Sequence, residues 1–420
     1  MSETQSMPKM SVLSGRMSHL CAVIGSQMFM IGGYHKGEPE ERFKDRDISV
    51  HLSDINIYSI QDATWRKVKA SGCIPNRGSG MCMASHKKYI YAFGGLIINE
   101  SGQREFSNTV HELDTETMTW RSLEPVPGST PPGVPDRPSI RDKAAMVYYD
   151  GALWVFAGWG TRIDRTQHNS RFVPDMSHEF VGWNNELWRF DLKAMRWNSP
   201  QCSGNAPSPR AAHTLTMYSD HRAMLFGGRT REGRVSELYI LNLDTLMWEG
   251  PLETGPGPEP RSLHTCTRLH DGNVLLLGGM NGNGDSVKAQ WVLETGPDIK
   301  WKRVELCEEK LCARTWHTAA AYQVSDNCSE LLVFGGSPDN IWMPKHKYWA
   351  NMVRFNYGVK PLYEICLDYI SRCNEAEQPE NMEIVTDINS RKKVLEAASC
   401  SFIDSVPIYD MESIGPTSAS

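Results

Sequence analysis

An apolar run closed by two glycines recurs along the chain, and this recurrence limits the fold more than any other feature. It appears as MFMIGG ending at Gly33, YIYAFGG at Gly95, AMLFGG at Gly228, NVLLLGG at Gly279 and ELLVFGG at Gly336. LWVFAGWG around Gly158 is the same element with alanine in place of the first glycine. Most of these runs follow an Arg-x-x-His start: Arg16 with His19, Arg210 with His213, Arg261 with His264, and Arg314 with His317. The second and third units keep the arginine, as Arg77 and Arg141, with glycine or alanine at the histidine position. A further strand follows each run, with a tryptophan close behind it at Trp65, Trp120, Trp197, Trp248 and Trp301. Self-similarity of this kind marks a repeat architecture whose units bury their apolar faces against one another.

Each unit holds about four short strands, and connectors such as PVPGSTPPGVPDRP separate the units. The pattern resembles the kelch repeat and implies an all-β fold, a six-bladed propeller over residues 7–356. The sixth unit has a third strand, NMVRFN, and no tryptophan behind it. A strand around Met7 to Leu13 is therefore expected to supply the missing outer strand and close the ring.

Strand direction then predicts a site. Within an antiparallel blade the first strand begins, and the second ends, at the same face. The residues after the glycines, Tyr34, Leu96, Trp159, Arg229, Met280 and Ser337, should therefore crowd one mouth of the channel. Ser18, Ser79, Lys143, Ser262, Leu263 and Trp316, from the arginine starts, join them, and GWNNELW returns Trp183. The repeated arginines and histidines read as contacts between blades, and the repeated tryptophans as core. Arg229 and Arg234 are not part of the repeat, and Arg231 between them reads as solvated. Two guanidiniums and an ammonium walled by Tyr34, Trp159, Trp183 and Trp316 suit a small anion on an apolar body, such as the free C-terminus of a peptide.

Behind the last strand, VKPLYEICLDYISRCNE repeats apolar residues at helical steps, Leu362, Ile365, Cys366, Tyr369 and Ile370, with Pro361 at its start. A short helical segment over 359–390 and a mostly disordered tail over 391–420 are expected. Leu362, Cys366 and Ile370 fall at the spacing of the BC box with which substrate receptors dock onto Elongin C.

Propeller and BC box together resemble the kelch domain-containing C-degron receptors of cullin-2 ubiquitin ligases. The resemblance is densest in APSPRAAH, FGGRTREGR, LNLDT and RTWHTAAA. It implies that Arg229, Arg234 and Ser262 clamp the terminal carboxylate of a glycine-ended substrate, with Lys143 beside them. Tyr34, Trp183 and Trp316 match aromatic pocket walls, and Trp159 stands where the family has tyrosine. The partners implied are substrate C-termini, Elongin B/C and a cullin-2 type scaffold. Two positions depart from the family: Leu263 replaces a tryptophan after the clamp serine, and Val181 replaces an arginine before GWN. Gln378 precedes Pro379 where the cullin-selecting helix has an apolar residue. The alternatives are a kelch scaffold that binds a folded partner, and an enzyme. Against the enzyme stands the lack of clustered metal ligands or a carboxylate pair at the mouth.

Composition trims the remaining choices. A net charge of −6 over 420 residues argues against a nucleic-acid surface. The first residues, MSETQSMPKM, hold no apolar signal core, and no window is apolar enough to span a bilayer, so a cytosolic or nuclear protein is expected. The 11 cysteines lack the paired spacing of zinc sites, even at Cys307/Cys312 and Cys366/Cys373, and read as reduced thiols. No cofactor or metal is expected.

Overall fold

The computed structural model describes residues 13–36, 49–126, 135–161, 171–306, 311–340 and 347–358. The chain divides into two units, Met1–Gln323 with Ser329–Tyr357, and Val324–Cys328 with Gly358–Ser420. Every contact below lies within the first. Strands, turns and loops account for all the described residues, as the alternating and glycine-punctuated pattern requires.

The strands group into six blades. The first comprises Leu20–Ile24, Gln27–Lys36, Ser49–Ser59 and Thr64–Val68, hydrogen-bonded in that order. The apolar runs form the second strands: Tyr89–Phe93, Ala152–Thr161, Arg222–Phe226, Val274–Leu277 and Cys328–Phe334 in blades two to six. These strands are flanked by neighbours within the sheet and covered by blades on both sides, so they read as unbroken apolar stretches. Blade six has three strands among the described residues, Thr318–Ser325, Cys328–Phe334 and Met352–Gly358. Of the expected closing strand, residues 7–12 lie outside the described residues. Leu13 is half-buried against Met28, Met30, Leu332 and Phe334.

Three repeated contacts join successive blades, and each uses a residue of the repeat. The second glycine of a run donates its N–H to the backbone carbonyl of the next blade's arginine: Gly95 to Arg141 (2.8 Å), Gly158 to Arg210 (2.9 Å), Gly228 to Arg261 (2.9 Å), Gly279 to Arg314 (2.9 Å) and Gly336 to Arg16 (2.8 Å). The last of these joins blade six to blade one. The arginine side chain turns back and donates to the carbonyl before the second glycine of its own blade, as Arg16 does to Gly32 (3.0 Å) and Arg261 to Gly278 (2.9 Å). The histidine bonds the threonine that follows the histidine of the preceding blade: His264 with Thr214 (3.1 Å), His317 with Thr265 (3.0 Å) and His19 with Thr318 (2.7 Å). Four of the five outer tryptophans rest edge-on or tilted on the phenylalanine of the preceding blade's run. The pairs are Trp197 with Phe93, Trp248 with Phe156, Trp301 with Phe226 and, across the closure, Trp65 with Phe334. The histidines thus join blades and the tryptophans pack as core, as expected, whereas the arginine side chain ties its own blade together and only its backbone carbonyl meets the neighbouring blade.

Blade two departs from the expected register by one residue. Cys82 pairs with Phe93 as Thr214 pairs with Phe226, which puts Gly78, not Arg77, at the arginine position. Gly80 and Met81 then fill the next two slots of interest, so methionine rather than glycine replaces the histidine. Arg77 is exposed, whereas Arg16, Arg141, Arg210, Arg261 and Arg314 are at most 2% exposed. The sequence Arg-Gly-Ser-Gly mimics the motif, but the close pairing of Gly78–Ser79 with Leu96–Ile97 decides the register. A cavity of about 20 Å³ remains beside Gly78 between blades one and two, lined also by Trp120. That is room for a single water.

Candidate functional site: a basic and aromatic mouth

The mouth is built on a belt of strained backbone. Two positions after each arginine slot stand Ser18, Gly80, Lys143, Ala212, Leu263 and Trp316, and all six have φ between 52° and 69°. Only glycine takes this left-handed conformation freely, and a leucine or tryptophan held there costs about 1 kcal/mol or more. Hydrogen bonds around the ring impose it. Lys143 N–H donates to Gly80 O (2.8 Å), Ala212 to Lys143 O (2.9 Å), Leu263 to Ala212 O (3.0 Å), Trp316 to Leu263 O (3.3 Å) and Ser18 to Trp316 O (3.0 Å). Gly80 N–H donates to the Ser18 hydroxyl (2.9 Å) and completes the circle. Six blades and ring closure are both visible in this one circuit. Inside it lies a cavity of about 150 Å³, lined by Ser18, Lys143, Ala212, Leu263 and Trp316 together with His213, His264 and His317. Burial, with Arg261 beside it, pushes His264 down to about 3, and His213 and His317 are held well below the usual histidine range for the same reasons. The imidazoles therefore line the channel as neutral rings.

The residues beyond the glycines stand one step outward and pair with the slot before the belt. Met17 bridges Tyr34, Ala211 bridges Arg229, Ser262 bridges Met280 and Thr315 bridges Ser337. In blade four the chain then turns back on itself, with Thr230 N–H donating to Gly233 O (2.7 Å) and Val235 N–H to Gly228 O (3.1 Å). Arg229 and Arg234 thereby become opposite partners of a small hairpin, and Arg231 is left exposed at its tip, as expected. Arg234 Nε donates to the buried hydroxyl of Ser262 at 3.1 Å, while its Nη2 has no hydrogen-bond partner among the described residues. Burial, aided by the Arg229 charge, lowers the pKa of Arg234. The Arg229 guanidinium lies 5.9 Å from the centre of the Trp183 ring, and Trp183 stacks on Trp159 at 5.5 Å. Phe106 of blade two continues the wall, 6.5 Å from Trp159. Neither Arg229 nor Arg234 has a carboxylate within salt-bridge distance among the described residues.

Arg229, Arg234, Ser262, Trp159 and Trp183 thus come together, and Lys143, Leu263 and Trp316 line the cavity beside them. Tyr34 sits in blade one against His51 and Tyr348, at 5.5 and 6.2 Å. Val181 pairs with Thr161 on the rim, on the strand that carries Trp183. The charge that sequence reasoning missed is Asp142. It pairs with the Lys143 ammonium and is itself 3% exposed. Its only signal is adjacency, in RDKAA, and the side-chain directions of neighbours in the left-handed belt do not follow strand alternation. Leu362, Cys366 and Ile370, with the helical segment over 359–390 and the tail over 391–420, lie outside the described residues. No group of three or more metal-ligating side chains and no helix long and apolar enough to cross a membrane occurs among the described residues.

Fold and mouth together define a kelch-type propeller with a basic, aromatic recognition face. The KLHDC2/KLHL20/DRC7 Kelch-repeats domain matches residues 99–279 and 174–357, and the chain belongs to this family. It is 30% identical over 366 residues to human Kelch domain-containing protein 1, covering 86% of this chain and 85% of that one. It is 27% identical over 367 residues to bovine Kelch domain-containing protein 2, covering 84% of each. Human Host cell factor 2 is similar at 25% identity over 293 residues, 68% of this chain and 33% of that protein.

Proposed function

We propose that this kelch protein is a non-catalytic substrate receptor of a cullin-RING ubiquitin ligase, which binds the free C-terminus of target proteins at the propeller mouth. The observation that carries the reading is the pair of guanidiniums, Arg229 and Arg234, the second oriented by a buried serine and the first placed beside stacked tryptophans, with no carboxylate among the described residues to satisfy them. A terminal carboxylate accepts from such forks through charge-assisted bonds of about 1.5–3 kcal/mol each. The aromatic wall excludes water and strengthens them. A glycine-ended terminus suits the crowded ring above the cavity. Resemblance of residues 361–370 to the BC box supports Elongin B/C as the adaptor, with a cullin-2 type scaffold beyond it and a cytosolic or nuclear place of action.

Fluorescence anisotropy with a labelled peptide ending in Gly-Gly tests the clamp. The free acid binds and the C-terminal amide does not, and Arg229→Ala weakens binding about 10- to 100-fold. Equal binding of acid and amide would sink the carboxylate clamp. Co-purification from cells tests the adaptor: Elongin C accompanies the protein, and Leu362→Ala with Cys366→Ala releases it.

A further inference from the structure

Lys143 stands at the mouth already engaged. Its ammonium pairs with Asp142 and lies 5.6 Å from the centre of the Trp316 ring. Blades three and six face each other across a six-membered ring, so Lys143 and Trp316 approach each other across the channel. Asp142 fills the slot directly after the arginine, where the other blades carry Met17, Ser79, Ala211, Ser262 and Thr315, none of them charged. Its carboxylate is buried, and Oδ1 has no hydrogen-bond partner among the described residues. A carboxylate so poorly solvated depends on its counter-ion, and burial raises its pKa against the pull of Lys143. The three cations of the mouth are therefore not equivalent. Arg229 and Arg234 have no carboxylate partner among the described residues, whereas the charge of Lys143 is cancelled within the pair.

We infer that Asp142 is a positioning residue that withholds Lys143 from the ligand's carboxylate, so that the clamp operates with two cations and its affinity is capped. The inference rests on the reading that the mouth binds C-termini. Lys143 is one blade from the clamp: its carbonyl accepts from Ala212 N–H at 2.9 Å, and the preceding residue, Ala211, bridges Arg229. A flexible four-carbon stem released from Asp142 can turn toward an anion held there.

The test uses the full chain and the labelled Gly-Gly free-acid peptide. Asp142→Asn, which keeps the side-chain shape, tightens binding about tenfold and steepens its salt dependence. Asp142→Ser, which copies the residue at this slot in blades two and five, does the same and covers the case in which the asparagine variant misfolds. Adding Lys143→Met to Asp142→Asn abolishes the gain. A merely structural role for Asp142 predicts weaker binding, never tighter. Binding that is no tighter in both Asp142 variants, or a gain that survives Lys143→Met, overturns the inference while leaving the C-terminus reading standing. Failure of the unmodified protein to distinguish acid from amide overturns both.

Discussion

The junction between blades three and four lacks a bridge that three other junctions possess, and restoring it should stabilise the protein. His213 has both ring nitrogens buried without a hydrogen-bond partner among the described residues. Its counterparts His264, His317 and His19 each bond a threonine of the preceding blade. By register the residue that should face His213 is Ala145, which pairs with Phe156 as Thr214 pairs with Phe226. Ala145→Thr supplies the missing hydroxyl, and Ala145→Val supplies the same volume without it. Added bulk in a packed core costs about 1–3 kcal/mol in either variant, so the informative quantity is the difference between them. One net hydrogen bond is worth about 0.5–1.5 kcal/mol, and relief of a buried unpaired nitrogen raises this toward about 2 kcal/mol. Urea unfolding followed by tryptophan fluorescence resolves such a difference at constant m-value. The melting temperature resolves it less well, because 1 kcal/mol moves a domain of this size by only about 2 °C. Threonine no more stable than valine would refute the reasoning that His213 is an unfilled member of the histidine–threonine series.

The register in blade two makes a paired prediction: Arg77→Ala changes stability by less than about 0.5 kcal/mol, whereas Arg141→Ala costs about 3–5 kcal/mol, because it removes the buried cation that Glu186 meets at 2.6 Å. Chemical denaturation of both variants checks it, and equal losses would restore Arg77 to the motif. The buried histidines predict acid sensitivity. His19 and His264 are pushed down to about 3 by burial and the neighbouring arginines, so the unfolded chain takes up protons below about 6.5 that the folded one refuses. Stability is therefore unaffected by these groups above about pH 6.5 and falls by about 1.4 kcal/mol per pH unit for each of them as pH drops toward 3. Unfolding curves at pH 7.5, 6 and 5 read the slope, and an unchanged midpoint would contradict neutral, buried imidazoles.

The sixfold repeat and its shared mouth are legible in the sequence because glycine pairs, arginine starts and outer tryptophans each perform one geometric task in most of the blades. The proximity of Arg229, Arg234 and Ser262 follows from the same register. Two things do not. Arg77 satisfies the motif in letters, yet the pairing of Gly78 with Ile97 shifts it out of the slot, and pairing across strands is not written in a local pattern. The engagement of Lys143 by Asp142, and its reach to Trp316, depend on side-chain directions set by left-handed backbone and on which blade stands opposite. Both are properties of the closed ring rather than of any unit. The helical segment with Leu362, Cys366 and Ile370 remains a reading of periodicity and resemblance.

The circuit of hydrogen bonds around the channel has a consequence for how such a protein changes over time. Every bond in it but one runs between backbone groups, so the residue at each station other than Ser18 can be exchanged without breaking the circuit. Serine, glycine, lysine, alanine, leucine and tryptophan already occupy the six stations of a single molecule with nearly the same φ. The strain of the left-handed backbone is carried by the ring as a whole, and a new side chain inherits a position that is already held. Recognition can thus be rewritten one station at a time while the scaffold that presents it stays constant.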